Sequence, residues 1–490
     1  MAPTPSLRLR LWVPLLAGAA LGAVLVAILG PRLPPLGPSR GDPTLAAEAA
    51  ALLGPAGGCG VVSVVRIRDG RVSWAGFGDV TPWSRFEVGS IAKTFDGLLL
   101  ADAAQRGEVL LEDPLASHLT ETAGSEVGTV TLAELATHRG GLPMATRLDL
   151  LTAKAEALAN KAPSMFNTAT PDSVIHDATH LALSGRGTTN YSNLSAALLG
   201  FALARAAGFP DWSTYVQVRL FQPLGMNETQ VAVNGDPAPD LLTPHQANGH
   251  VAEPWISTGY APAGAGVTTT TADLTTYTQA LLEGTAPGID ALHPNWPGIL
   301  GQRMGLAWMI SDINGHDVAW HVGGTAGMRT MLAMDRDQHQ ATIILTNAAN
   351  DVTGEALMVL TGATGTLPQP PPVNADTLPY VFVGAHLVLI FALTALHAPS
   401  RLRILGAALA APGSLLIWAI SAPWDWAPPW TLGLAAGLGL GASITSALRW
   451  TDLPWLPQRH RPMTILSLTA GAAWLMAMLT LAGWVAVLAP

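Results

Sequence analysis

At 490 residues the chain has room for two or three domains, and 49% of it is apolar against 12% charged, which excludes an ordinary soluble composition. A net charge of −9 with no basic run gives no reason to expect a nucleic-acid partner. The one cysteine, Cys59, cannot form an internal disulfide, and its place before the apolar run Val61 to Val65 reads as a small buried residue rather than a nucleophile.

In chain order, residues 1–10 carry Arg8 and Arg10 and read as a cytoplasmic N-terminus. Leu11 to Leu29 is an uncharged apolar run of spanning length, so 11–30 is expected to be a transmembrane anchor or a signal; with no clear small-residue cleavage site, an anchor is favoured. Proline and glycine density makes 31–43 a linker. The main folded domain is expected over 44–365, opening with a helix near Thr44 to Leu53 and two strands, Val61 to Ile67 and Val72 to Phe77, joined by the hairpin signal Asp69-Gly70.

The stretch FEVGSIAKTF, Phe86 to Phe95, then places Ser90 and Lys93 three residues apart, on one face of a helix running to about Gln105 and stopping at Gly107. The chain holds only three lysines, Lys93, Lys154 and Lys161, so a lysine here needs a reason. Unlike arginine, lysine can give up its proton; acting as a base near neutral pH requires its pKa to fall by roughly three units, about 4 kcal/mol, which burial supplies. Alone, Ser-x-x-Lys equally describes a helix cap beside a solvated lysine.

Further along, Thr131 and Glu134 have capping-box spacing ahead of the loop His138-Arg139-Gly140-Gly141-Leu142-Pro143. From Met144 to Ser184 the pattern is alanine-rich and helical. His176, Asp177 and His180 place two imidazoles one helical turn apart but with no third ligand or general-base glutamate, and read as a solvated helix face, so no metal and no other cofactor is expected. Asn190-Tyr191-Ser192-Asn193 precedes the apolar helix Leu194 to Ala206, offering the Tyr191 hydroxyl to a cleft, or only a cap at Ser192 or Asn193. Helices are also expected over Asp211 to Phe221 and Thr271 to Leu282. From Gly305 to Asn347, four runs (GLAWMIS, DVAWHVGGT, MRTMLAMD, ATIILTN) predict consecutive antiparallel strands. In the second, His321 is followed by Gly323 and Gly324, glycines that suit a strand a ligand approaches closely.

Residues 366–377, TLPQPPPVNADT, form a proline-rich linker, and 378–490 a four-helix transmembrane tail with segments near Leu378 to Ala398, Ile404 to Ile420, Trp430 to Leu448 and Thr464 to Leu488. Its five arginines fall in two alternate loops, Arg401 and Arg403 in one, Arg449, Arg459 and Arg461 in the other. The positive-inside rule then puts those loops in the cytoplasm and the catalytic domain outside, giving a multi-pass cell-membrane protein with the lipid bilayer as a partner.

Ser90-x-x-Lys93, Tyr191-Ser192-Asn193 and His321-Val322-Gly323, in that order, resemble the motifs of the serine β-lactamase and penicillin-binding superfamily, in the branch of class C β-lactamases, D,D-peptidases and esterases. HRGGLP (138–143), PLGMNET (223–229), AGAGVTTTTADL (263–274) and HVGGTAGMRTMLAMD (321–335) extend the resemblance over about residues 45–350. It implies an α+β fold, an antiparallel sheet flanked by helices plus a helical subdomain. It implies Ser90 as nucleophile, Lys93 and Tyr191 sharing the base role, Asn193 positioning Lys93 and substrate, and the backbone N–H groups of Ser90 and Gly324 as oxyanion hole, with Gly323 beside it. His321 stands where relatives often have lysine, and is expected to donate toward the tyrosine oxygen or a substrate carboxylate. Arg139-Gly140 departs from the usual threonine-serine. The expected function is a serine hydrolase working through an acyl-enzyme on a peptide, amide or ester, with small molecules and peptidoglycan-derived peptides as candidate substrates. The alternative is a catalytically idle ligand-binding or sensing domain; the acyl group and oligomeric state stay open.

Overall fold

The computed structural model describes residues 5–29, 35–53, 60–146, 166–232, 236–246, 251–298, 301–361, 378–409 and 430–456, with Gly249 and scattered residues between 465 and 476. The chain divides into two compact units, one made of residues 33–153 and 162–368, the other of 1–32, 154–161 and 369–490.

The larger unit is built on a nine-stranded, wholly antiparallel sheet. In chain order its strands are β1 (Ser39–Gly41), β2 (Val62–Arg68), β3 (Arg71–Phe77), β7 (Trp296–Pro297), β8 (Arg303–Met304), β9 (Met309–Ile313), β10 (His316–Gly324), β11 (Arg329–Asp335) and β12 (Gln340–Thr346). Their spatial order is β1-β3-β2-β12-β11-β10-β9-β8-β7. The last strand thus returns to pair with the first hairpin, Ile343 facing Val65 and Ile344 facing Val64. Asp69 and Gly70 both take positive φ, as the expected tight hairpin demands.

The central strands are apolar on both faces because both are covered. Val65, Ile67, Leu332, Met334, Ile343 and Leu345 face the helical subdomain. Val62, Val64, Met331, Ala333 and Ile344 lie under α2 (Pro43–Leu53) and α9 (Thr353–Thr361). The subdomain is supplied by α3 (Ala92–Gln105), α4 (Leu132–Ala136), α5 (Pro171–Ala178), α6 (Asn193–Ala206), α7 (Trp212–Val216) and α8 (Thr271–Glu283). Of these α3 is buried from Ala92 to Ala103, with Phe95 meeting Phe221 and Tyr277 edge-on at 5.2 and 5.1 Å. A second, three-stranded sheet, β4 (Arg85–Glu87), β6 (Val267–Thr270) and β5 (Gln230–Val231), leads into α3.

Two details differ from the sequence reading. Within the expected linker, Ser39–Gly41 adds an edge strand to β3 through backbone bonds alone, so no side-chain pattern announces it. In GLAWMIS the strand starts only at Met309, because Gly305 to Trp308 closes a turn, Gly305 N donating to Trp308 O with Ala307 at φ +59°. The capping box of Thr131 and Glu134 forms as expected. Residues 147–165, part of the expected helical stretch, and the linker 366–377 lie outside the described residues.

In the smaller unit, α1 (Pro5–Leu29) packs antiparallel on α11 (Trp430–Trp450), backbone against backbone. A Cβ on Gly18 would lie 2.3 Å from Gly437 O, one on Gly22 2.0 Å from Gly433 O, and one on Gly441 2.3 Å from Pro14 O. Gly-x-x-x-Gly spacing on both helices permits this approach, and Thr445 Oγ1 donates to Leu11 O at 3.0 Å. Of the four tail spans expected, α10 (Leu378–His397) and α11 coincide with the first and third; most of the second and the fourth fall outside the described residues. By length and hydropathy one described helix, at Leu11–Leu29, is apolar enough to cross a membrane.

Candidate active site

Gly89–Ile91 forms a 3₁₀ turn that opens directly into α3, so Ser90 sits at the helix start and Lys93 one turn on. Lys93 Nζ donates to Ser90 Oγ at 2.9 Å and to the carbonyl of Ala263 at 2.8 Å. Its side chain is wholly buried, and that burial lowers its pKa from 10.5 to about 7, partly offset by the buried carboxyl of Asp96. Near neutrality an appreciable share of Lys93 is therefore the free amine that can accept a proton. Asp96, held by the indole N–H of Trp212 at 2.7 Å, is itself pushed well up by burial.

Tyr191 enters from the loop before α6. Lys93 Nζ lies 5.0 Å from its ring centre, and burial raises the phenol above its ordinary range while a hydrogen bond with Ser90 pulls it part of the way back. Tyr191 is consequently a neutral phenol at working pH, and the amine is the better proton acceptor of the two.

His321 arrives on β10, its ring 6.5 Å from that of Tyr191. Its Nδ1 lies 2.7 Å from Val322 O; a carbonyl can only accept, so Nδ1 carries the proton and Nε2 is left as an acceptor. Burial, then the charge of Lys93, lowers its pKa to about 3 and keeps it neutral. This corrects the expectation that His321 donates to a tyrosine oxygen or substrate carboxylate: the carbonyl of Val322 consumes the one proton it has.

Three glycines set the backbone around Ser90. Gly89 takes φ +57° and packs on β10 so closely that a Cβ would lie 2.6 Å from Gly324 N. Gly264, at φ +109°, lies against Gly89 O and Ser90 N, where a Cβ would come within 2.0 and 3.0 Å. A Cβ on Gly323 would come within 2.1 Å of Val88 O, which Thr330 Oγ1 also holds at 2.7 Å. The N-terminus of α3 and the end of β10 are thereby brought together. Asn193 opens α6, but its buried Oδ1 has no hydrogen-bond partner, and no bond to Lys93 is found among the described residues. His176 and His180 are exposed rings 4.9 Å apart, and no metal-binding group of side chains occurs among the described residues.

Four contributors escaped the sequence reading. Ala263 acts through a carbonyl, and Gly264 through the absence of a side chain; AGAGV was their one signal. Asp96 looked like any polar residue of a helix. Glu87, at the end of β4, is buried with Oε1 accepting from Trp255 N at 2.6 Å and Oε2 from Thr325 Oγ1 at 2.8 Å, clasping the residue after Gly324. Burial raises its pKa from 4.5 to about 7, against the pull of those two bonds. A raised acid contributes stability that is full below its unfolded pKa and lost as pH climbs through the folded one. Chemical denaturation should show Glu87→Gln removing a fall of about 3 kcal/mol between pH 4.5 and 7 that the unsubstituted chain displays. An identical pH dependence in both would show that the carboxyl keeps its ordinary pKa.

The chain is similar to the beta-lactamase of Escherichia coli (strain K12), 30% identical over 155 residues, 31% of this chain and 37% of that one. It is also similar to a beta-lactamase of Pseudomonas fluorescens, 25% identical over 264 residues, 50% of this chain and 68% of the relative. The first match thus spans about a third of the relative's length. Among solved structures, the class C beta lactamase from Rhodobacter sphaeroides shares the fold at TM-score 0.53 and 21% identity, covering 64% of this chain and 97% of that one. Another class C beta-lactamase superposes at TM-score 0.56 and 17% identity, covering 66% and 98%. The Beta-lactamase family profile matches residues 47–360, which hold every strand of both sheets but β1 and every side chain of the site, and the chain accordingly belongs to the beta-lactamase family.

Proposed function

We propose that the chain is a membrane-anchored serine hydrolase that turns over an ester, amide or peptide through an acyl-enzyme, with its catalytic unit outside the cytoplasm. The observation that carries this reading is the buried amine of Lys93 at 2.9 Å from the Ser90 hydroxyl, with its pKa near 7. Free Lys93 amine takes the Ser90 proton while Oγ bonds to the substrate carbonyl carbon, the carbonyl π electrons moving onto oxygen. Backbone N–H groups of Ser90 and Gly324 receive that oxyanion; one such donor is worth about 3 kcal/mol. Collapse breaks the bond to the leaving group, which takes a proton relayed through Tyr191, and water then releases the acyl group by the reverse sequence.

The acceptor at His321 Nε2 favours substrates without a carboxylate beside the scissile bond, since a lone pair facing an anion is repulsive. Membrane attachment rests on the apolar helix at Leu11–Leu29, with α10 and α11 as further spans, and the outward placement on the arginine-bearing loops.

The test is hydrolysis by the full-length chain in detergent of a neutral p-nitrophenyl ester and of nitrocefin, which bears a carboxylate, alongside fluorophosphonate labelling. Ester turnover and labelling are expected, with Ser90→Ala losing about 10⁴-fold or more of kcat. Ester kcat/KM should exceed that for nitrocefin by about 100-fold. A well-folded chain that neither probe acylates would instead establish the ligand-binding reading.

A further inference from the structure

We propose that His138 is the positioning residue for Tyr191, holding one chain neighbour of the tyrosine through its carbonyl and the other through an unprotonated Nδ1, and packing its imidazole against the tyrosine ring. The inference rests on the catalytic reading of Tyr191 given above.

Tyr191 sits in a loop, where nothing in its own segment fixes the phenol. Both flanking residues bond to His138: Asn190 N donates to His138 O at 2.8 Å, and Ser192 N donates to His138 Nδ1 at 3.3 Å. The imidazole lies on the Tyr191 ring with centres 4.6 Å apart. One residue therefore fixes the backbone before the tyrosine and the backbone after it, and packs against its ring.

His138 is in turn held for this purpose. It takes φ +57°, uncommon outside glycine and less costly for histidine, asparagine and aspartate than for most residues. The loop it opens is laced to the segment leading to Tyr191: Gly187 N donates to Arg139 O at 2.8 Å, Ser184 N to Gly141 O at 2.9 Å, and Ser192 Oγ to Pro143 O at 2.6 Å. Arg139, the departure from the usual threonine, adds two side-chain bonds to Gly187 O.

Because Nδ1 accepts from a backbone N–H, it is unprotonated and the neutral ring carries its proton at Nε2. That Nε2 is buried and has no hydrogen-bond partner among the described residues. Burial, then the charge of Lys93, lowers the pKa of His138 to about 3, so the acceptor survives at any pH where the enzyme would work.

Asparagine places a carbonyl oxygen near the position of Nδ1 and tolerates positive φ, whereas glutamine reaches instead toward Nε2. Acylation by a fluorophosphonate is measured on the full-length chain in detergent for His138→Asn, His138→Gln, Tyr191→Phe and the double variant His138→Gln/Tyr191→Phe, with thermal melting to confirm folding. His138→Gln should acylate about 100-fold more slowly, the cost typical of misplacing a reacting group by an ångström. His138→Asn should recover at least about tenfold over His138→Gln, the worth of one well-placed hydrogen bond. In the Tyr191→Phe background His138→Gln should add little, because the group it positions has gone. Equal rates for the asparagine and glutamine variants, or full additivity in the double variant, overturn the positioning role alone. A Tyr191→Phe variant as fast as the unsubstituted chain overturns the reading of Tyr191 and this inference with it.

Discussion

Arginine in place of Lys93 is expected to lower the acylation rate by about 10³-fold or more, within the range assigned to loss of a positioned general base. The guanidinium keeps its positive charge and its donors, so any role Lys93 plays through charge alone would survive. What arginine cannot do is lose a proton. The unsubstituted chain should acylate about tenfold faster per pH unit up to about pH 7 and level off above it, because the pKa of Lys93 lies near 7 and only the free amine is active. Burial is the chief cause of that lowered value, with Asp96 acting in opposition. The Lys93→Arg chain should be slow and lack this limb. An arginine variant retaining the rate and the rise would show that Ser90 is activated by another group.

Replacing Gly264 with alanine is expected to disable the site and weaken the fold together. The methyl group would land 2.0 Å from Gly89 O, a backbone atom with no rotamer to yield, in a residue already at φ +109°. Gly107→Ala is the matched comparison: it has φ +72° but open space around its Cα. The conformational cost common to both is about 1–2 kcal/mol, and overpacking adds about 1–3 kcal/mol at Gly264 alone. Thermal melting should therefore place Gly264→Ala several degrees below Gly107→Ala, at about 2–4 °C per kcal/mol. Ester turnover should collapse only in the former, since the displaced atoms are Gly89 O and Ser90 N. Equal melting temperatures and retained turnover would mean that the Ala263–Gly264 turn yields freely.

What could be read from the chain and what could not divides along a physical line. Asp69-Gly70, the capping box at Thr131 and the apolar runs of β10 to β12 are local, and each side chain declares its own geometry. Ser90 and Lys93 belong with them, being one helical turn apart. The juxtaposition of Tyr191 and His321 with that pair followed from motif order, since their partners lie about a hundred residues away or more. Lost to reading were contributions made by main-chain atoms: the Ala263 carbonyl on Lys93, the Val322 carbonyl that fixes the tautomer of His321, and the backbone bonds that draw Ser39–Gly41 onto the sheet edge. Every residue has a carbonyl, so only the fold reveals which one matters. Asn193 shows the converse, a side chain for which the family resemblance implied a contact with Lys93 that is not found among the described residues.

The interlocked glycines of α1 and α11 bear on the order of events during synthesis. α1 emerges from the ribosome before α11, yet the backbone face that fits it belongs to residues 430–450. Its mate appears only after the whole hydrolase domain has been translated, so α1 must wait with its glycine groove uncovered by α11 until residues 430–450 have been made. A processing peptidase that removed that segment would leave Gly433, Gly437 and Gly441 facing a void where a helix backbone now lies. The antiparallel fit also brings Arg8 and Arg10 to the same end of the pair as Arg449, so the arginines of both helices gather at one end.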